Sequence, residues 1–112
     1  MIVLALVACA PTAGPQSGDA PAPLLTLDTH LDTPAHFDRA GWSIMDRHTF
    51  ANDLSHVDVP RMIEGGLSGG FFVIYTPQSD DQAAMLAHAR RRLAAIHRVV
   101  AANPQAMEIA RT

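Results

Sequence analysis

The order strand, short helix, strand, long helix predicts an α/β protein built on a parallel sheet. Three observations carry this. Leu24–Leu27 is an apolar run closed off by the polar Asp28–Pro34, Gly70–Tyr75 is a continuous aromatic and β-branched run, and Ser79–Asn103 has a start signal, an apolar stripe and a stop.

Leu24-Leu25-Thr26-Leu27 lies between prolines and reads as a buried strand. His30 and Asp32 follow where it ends. A strand has a side-chain period of two, so the pair shares one face, with attachment points about 6 to 7 Å apart. Both side chains then reach a single cation, since zinc takes imidazole nitrogen and carboxylate oxygen at roughly 2.0 to 2.2 Å. The spacing alone is not specific: the chain has six histidines, and a second His-x-Asp stands at His56-Val57-Asp58. Context separates the two, because Asp58 follows a polar segment and precedes a helix pattern, where a carboxylate serves as an N-cap.

Ala35–Ser55 is a long polar connection, expected to be a loop with a turn or two of helix. Segments of this length in compact domains are often functional. Trp42 within it either covers a cavity or pins the loop to the body. His36 and His48 are candidates to approach a ligand from it.

Asp58–Gly66 predicts a short helix: Asp58 accepts from orphan backbone donors, Pro60 sits in the first turn, and Gly65 or Gly66 takes the left-handed conformation that ends it. Met62 and Ile63 are expected to face the core. Gly65–Gly70 precedes a strand instead of following one, which argues against a phosphate-cradling loop. Gly70–Tyr75 lacks polar alternation and predicts a strand buried on both faces.

Ser79-Asp80-Asp81-Gln82 has the capping-box pattern, with Ser79 as N-cap. In the helix that follows, Leu86, Ala89, Leu93, Ile96 and Val100 form one inward stripe. Asn103-Pro104 is expected to stop it and begin another short helix. Arg90–Arg92 reads as a solvated face, and His88 and His97 are too far apart for an i, i+4 metal pair.

The formal charge of −3 and pI near 6.0 give no basic footprint for nucleic acid. Glutamate is scarce, with only Glu64 and Glu108, and a single cysteine excludes an internal disulfide. Residues 1–9 carry a seven-residue apolar run, Ile2–Ala8, whose end Leu6-Val7-Ala8-Cys9 resembles the lipobox of bacterial lipoproteins, with Cys9 as the lipidated residue. The alternative is a secretory signal cut in Ala8-Cys9-Ala10, with Cys9 discarded. No lysine or arginine precedes the run. Either reading exports the protein, to the periplasm or, through a lipid anchor, to the membrane. The run is far short of the roughly 20 apolar residues of a membrane span. Residues 10–23, rich in Ala, Pro, Gly and Ser, read as a flexible tether, and 24–112 as the folded portion.

Four segments in order are similar to the membrane dipeptidases, also called renal dipeptidases, a family of zinc peptidases. They are Asp28–Pro34, Val57–Leu67, Gly69–Pro77 and Ala95–Pro104, and the similarity runs from Leu24 to Thr112. The resemblance implies a (β/α)8 TIM barrel with two zinc ions at its C-terminal rim. Of that barrel this chain would hold the N-terminal portion, about two β/α units, because a complete one uses roughly 250 residues. It implies that His30 and Asp32 hold the first ion, and that a bridging glutamate, further histidines and a catalytic aspartate come from later strands that this chain lacks. Glu64 imitates the family's bridging-glutamate motif in Ile63-Glu64-Gly65-Gly66 but falls before the second strand, so it is not assigned to metal. The implied reaction is hydrolysis of a dipeptide, with a homodimer among the expected assemblies, and the chain alone is expected to be an inactive fragment with no catalytic residue of its own. A non-catalytic peptide-binding lipoprotein on the same scaffold is the alternative. Other metal-dependent amidohydrolases fit less well, since they begin with His-x-His where this chain has Asp32.

Overall fold

Two strands pair in parallel as the alternation requires: β2 (Leu27–Leu31) with β3 (Gly69–Val73). The computed structural model describes residues 2–6 and 24–111, a mixed α/β fold. In chain order these are β1 (Ile2–Leu6), β2, a 3-10 turn (Thr33–His36), α1 (Phe50–Asp53), α2 (Val59–Glu64), β3, α3 (Gln82–Ala102) and β4 (Glu108–Ile109). The sheet order is β2-β3-β1-β4, with β1 antiparallel to both β3 and β4, so the sheet is mixed. A closed barrel is not formed by these residues.

β2 begins later than the apolar run suggests. Leu24 and Leu25 are 85% and 69% exposed, and pairing with β3 starts at Leu27, because an apolar run is buried only where a neighbouring strand covers it. Ile2–Leu6, most of the run read as an export signal, is strand β1 here. Cys9 and the 10–23 tether lie outside the described residues. Among the described residues, no helix is long and apolar enough to cross a membrane.

β3 is an inner strand, paired on both edges. Phe72 is 1% exposed, and its ring meets Phe37 edge-on at 5.3 Å. Burying a side chain of that size contributes about 1.5 to 3 kcal/mol. Tyr75 lies beyond the strand and is 63% exposed, so burial on both faces holds only for the strand's inner residues. The core gathers Leu31, Phe37, Ile44, Val59, Met62, Phe72, Ala95, Ile96, Val100 and Met107 from the sheet, the long loop, α2, α3 and the turn before β4. Gly70 lets the parallel strands approach: a Cβ there would stand 2.5 Å from Leu31 Cδ1 and 2.9 Å from the Asp28 carbonyl oxygen.

α2 starts as expected, with the Asp58 carboxylate accepting from Arg61 N–H, and the chain leaves it through Gly66 at φ +69. Met62 is buried, but Ile63 is exposed, because a helix of six residues turns only a narrow face inward. α3 is capped by Asp81, which accepts from Ala84 N–H at 2.9 Å. The Ser79 hydroxyl is engaged by the N–H of Asp81, so Ser79 does not cap the helix. Only the C-terminal half of its stripe is buried, at Ile96 and Val100, while Leu86 is exposed. Asn103 ends the helix. Its carbonyl accepts from Ala106 and Met107 N–H, which makes a turn into β4 in place of the expected second helix.

Candidate functional site

The site is built where β2 ends. The ladder between β2 and β3 is irregular between Asp28 and Leu31, and there the Asp28 carboxylate accepts the His30 backbone N–H at 2.8 Å. Leu31 is buried in the core and anchors the segment, while its neighbours His30 and Asp32 keep 66% and 68% of their side chains exposed. Asp32 is no longer on the strand. It is the residue before the 3-10 turn, with φ −80 and ψ 2, and its carbonyl accepts from Ala35 N–H. The shared strand face expected for the pair is therefore replaced by a strand end and a turn that converge.

His30 Nε2 stands 3.4 Å from Asp32 Oδ2. Asp32 makes no side-chain capping bond, which leaves its carboxylate directed at the imidazole. Two donor atoms each roughly 2.1 Å from one ion at a tetrahedral angle stand roughly 3.4 Å apart, so the pair fits joint ligation of a divalent cation. Among the described residues there is no group of three or more His, Cys, Asp or Glu able to hold a metal. The pair opens onto a groove of about 280 Å³ that is also lined by Asp28, Thr33, His36 and His56.

The other histidines divide. His36, half-buried on the 3-10 turn, faces the groove, and its Nδ1 lies 2.8 Å from Arg39 Nη1. Burial acts first, and the Arg39 charge second, to lower its pKa. His56 lines the groove with its ring 4.8 Å from that of Phe50. His48 is drawn away: its Nδ1 lies 2.5 Å from Asp53 Oδ2 and its Nε2 meets the Ser43 carbonyl at 2.7 Å. Trp42 lies between the His36 and His48 rings, at 5.2 and 4.6 Å, and its indole N–H reaches Asp53 and Ser55. It pins the loop.

This network of Trp42, His48, Asp53 and Ser55 was not foreseen from the sequence. Desolvation works to raise the Asp53 pKa, but the Ser55 backbone and hydroxyl, the Trp42 indole and His48 outweigh it and bring the carboxyl down to about 2. The only advance sign is Asp53-Leu54-Ser55, a local Asx turn in which Asp53 accepts Ser55 N–H and Leu54 takes φ 62. The partners on the far side of the loop have no periodic signature.

Asp58 is fully buried and takes the N–H of His48, the N–H of Arg61 and the Arg61 Nε, at 2.9, 2.9 and 2.6 Å. Desolvation is outweighed by these donors, so its pKa falls below the ordinary carboxylate range. The second His-x-Asp is thus a helix cap. Glu64 pairs with Arg47 through both carboxylate oxygens, at 2.5 and 2.9 Å, and lines no part of the groove. On α3, Arg92 donates to the Pro34 carbonyl and supports the 3-10 turn from behind, which removes it from the solvated face expected for Arg90–Arg92.

A sequence model of the membrane dipeptidase family (peptidase family M19) matches residues 22–112. No curated protein matches the chain.

Proposed function

Because the family match spans most of its length, this chain belongs to the membrane dipeptidase family, and on that premise we propose that it supplies two ligands, His30 and Asp32, to the zinc centre of a dipeptidase. The observation that carries the reading is their convergence at 3.4 Å on the rim of a groove with room for a short peptide. Zinc supplies in such a centre a water of lowered pKa and a polarised peptide carbonyl.

This chain's own residues do the positioning. Leu31, buried between the two ligands, fixes the strand end. Asp28 holds the His30 backbone, and Arg92 braces the turn that carries Asp32 away from the strand. Two ligands do not complete a two-ion centre, so residues 24–112 alone do not hydrolyse dipeptides. Measurable zinc-dependent cleavage by that segment would overturn this. Zinc added to the chain is expected to shift the ring resonances of His30, with the shift lost in Asp32→Ala; an unmoved His30 contradicts the assignment.

Export is part of the proposal. Ile2–Ala8 directs it and is cleaved off on export, so that the mature sheet keeps the β2–β3 pair without β1, and Cys9 is either lipidated or removed with the signal. Fatty-acid labelling that is lost in Cys9→Ser supports the anchor; labelling unchanged by that substitution removes it.

A further inference from the structure

His36 closes the 3-10 turn that Asp32 opens and lines the same groove as His30 and Asp32. Its Nδ1 lies 2.8 Å from Nη1 of Arg39. A guanidinium carries only donors and does not deprotonate in proteins, so Nδ1 must be the acceptor. The proton of the neutral ring then sits on Nε2. The same Nη1 also donates to the Asp53 carbonyl at 3.1 Å, which ties the guanidinium to the loop network. Trp42 stacks on the imidazole with the planes 23° apart and fixes the ring's orientation. Burial and the Arg39 charge favour the neutral form. Among the described residues Nε2 has no hydrogen-bond partner, and it is not a buried orphan.

We propose that His36 is a further binding residue of this groove: held by Arg39 as the Nε2–H tautomer, it donates one hydrogen bond to an oxygen of a short peptide. This rests on the reading of the groove as a dipeptide site. The other side chains there explain the choice of ligand atom. Asp28 and Asp32 offer only acceptors, Thr33 and His56 can act either way, and His36 is the groove side chain whose donor atom is fixed by a neighbouring cation, ready for a carboxylate or carbonyl oxygen. A neutral ring supplies that donor without a second cation next to a metal. Arg39 is a positioning residue that acts through His36.

The test uses the chain with ¹⁵N-labelled histidines, read by long-range proton–nitrogen correlation near neutral pH. The expected spectrum shows His36 with an unprotonated Nδ1 and a protonated Nε2. Arg39→Lys, which still carries only donors, preserves that state, and Arg39→Leu lets both tautomers appear. Adding alanyl-alanine shifts the His36 Nε2–H resonance. His36→Phe, which keeps the ring stack, weakens dipeptide binding by about 10-fold, the loss of one good hydrogen bond. The C-terminal amide of the dipeptide identifies the oxygen: about 10-fold weaker binding assigns the carboxylate, and unchanged binding assigns the carbonyl. A protonated Nδ1, a His36 unmoved by dipeptide, or full binding by His36→Phe overturns the proposal. A zinc titration run in parallel keeps the two readings apart: if His30 ignores zinc while His36 behaves as described, the metal assignment fails and the donor assignment stands.

Discussion

Replacing Asp58 by Ala removes the carboxylate that joins the long loop to α2, and the structure sets the size of the effect. Asp58 is fully buried and accepts three hydrogen bonds, one from the Arg61 backbone N–H in the first turn of the helix it caps, one from the backbone of His48 and one from the Arg61 side chain. Loss of the cap alone costs about 1 kcal/mol. Each donor left without a partner adds about 1 to 3 kcal/mol where water cannot reach it. Arg61 keeps 27% of its side chain exposed and a second bond to the Ser55 carbonyl, so solvent relieves part of its loss. The sum is about 3 kcal/mol, the lower edge of what removing one partner of a buried ion pair costs.

Domains of this size have only about 5 to 15 kcal/mol of stability. With a urea dependence of about 2 kcal/mol per molar, the midpoint of unfolding should fall by about 1.5 M. The assay is urea unfolding followed by far-UV circular dichroism near neutral pH. Asp58→Asn keeps an acceptor for the cap and should lose less than Asp58→Ala. A midpoint for Asp58→Ala within about 0.3 M of the parent, less than 1 kcal/mol by the same dependence, would refute the reasoning, because it would mean that the carboxylate is not the tie between loop and helix.

Three further outcomes are expected. Gly70→Ala places a Cβ against Leu31 and the Asp28 carbonyl, so it should displace the segment that carries His30 and Asp32 and weaken zinc binding without touching a ligand; an isothermal titration with unchanged affinity contradicts this. The Asp53 carboxyl has its folded pKa depressed to about 2, so its stabilisation is present above the ordinary carboxylate range near 4 and disappears as pH falls through about 2. The stability difference between the parent and Asp53→Asn should therefore shrink across that window in acid unfolding, and a constant difference counts against the network. Glu64→Gln breaks the Arg47 pair on an exposed surface and should leave zinc binding as it was; a loss of zinc would return Glu64 to the candidate ligands.

Local chemistry made much of the fold legible. The Asp58 cap with Pro60 after it, a glycine exit from α2 and the continuous run in β3 follow from residues adjacent in sequence, and the parallel pairing of β2 with β3 from the order of the elements. Where two local solutions compete, sequence does not choose between them: Ser79 and Asp81 both satisfy capping rules, and the backbone settles on Asp81. Burial of apolar residues depends on what covers them, which is why Leu24, Ile63 and Leu86 are exposed despite fitting their patterns. Of the candidate site, His30 and Asp32 were visible because the motif is short, although a turn and not a common strand face brings them together. The His36–Arg39 contact and the Trp42–His48–Asp53 network depend on how the loop folds over itself, and no spacing rule encodes that.

The central claim is that His30 and Asp32 hold one divalent ion between them, and equilibrium dialysis of the purified protein against buffered zinc, with the bound metal counted by elemental analysis, tests it most directly. Bound zinc is expected to saturate at one ion per chain and to be lost in His30→Ala, and equally in Asp32→Ala, while the folded state is retained by circular dichroism. Zinc that is absent from the parent protein, or that persists undiminished in the double substitution, would contradict it.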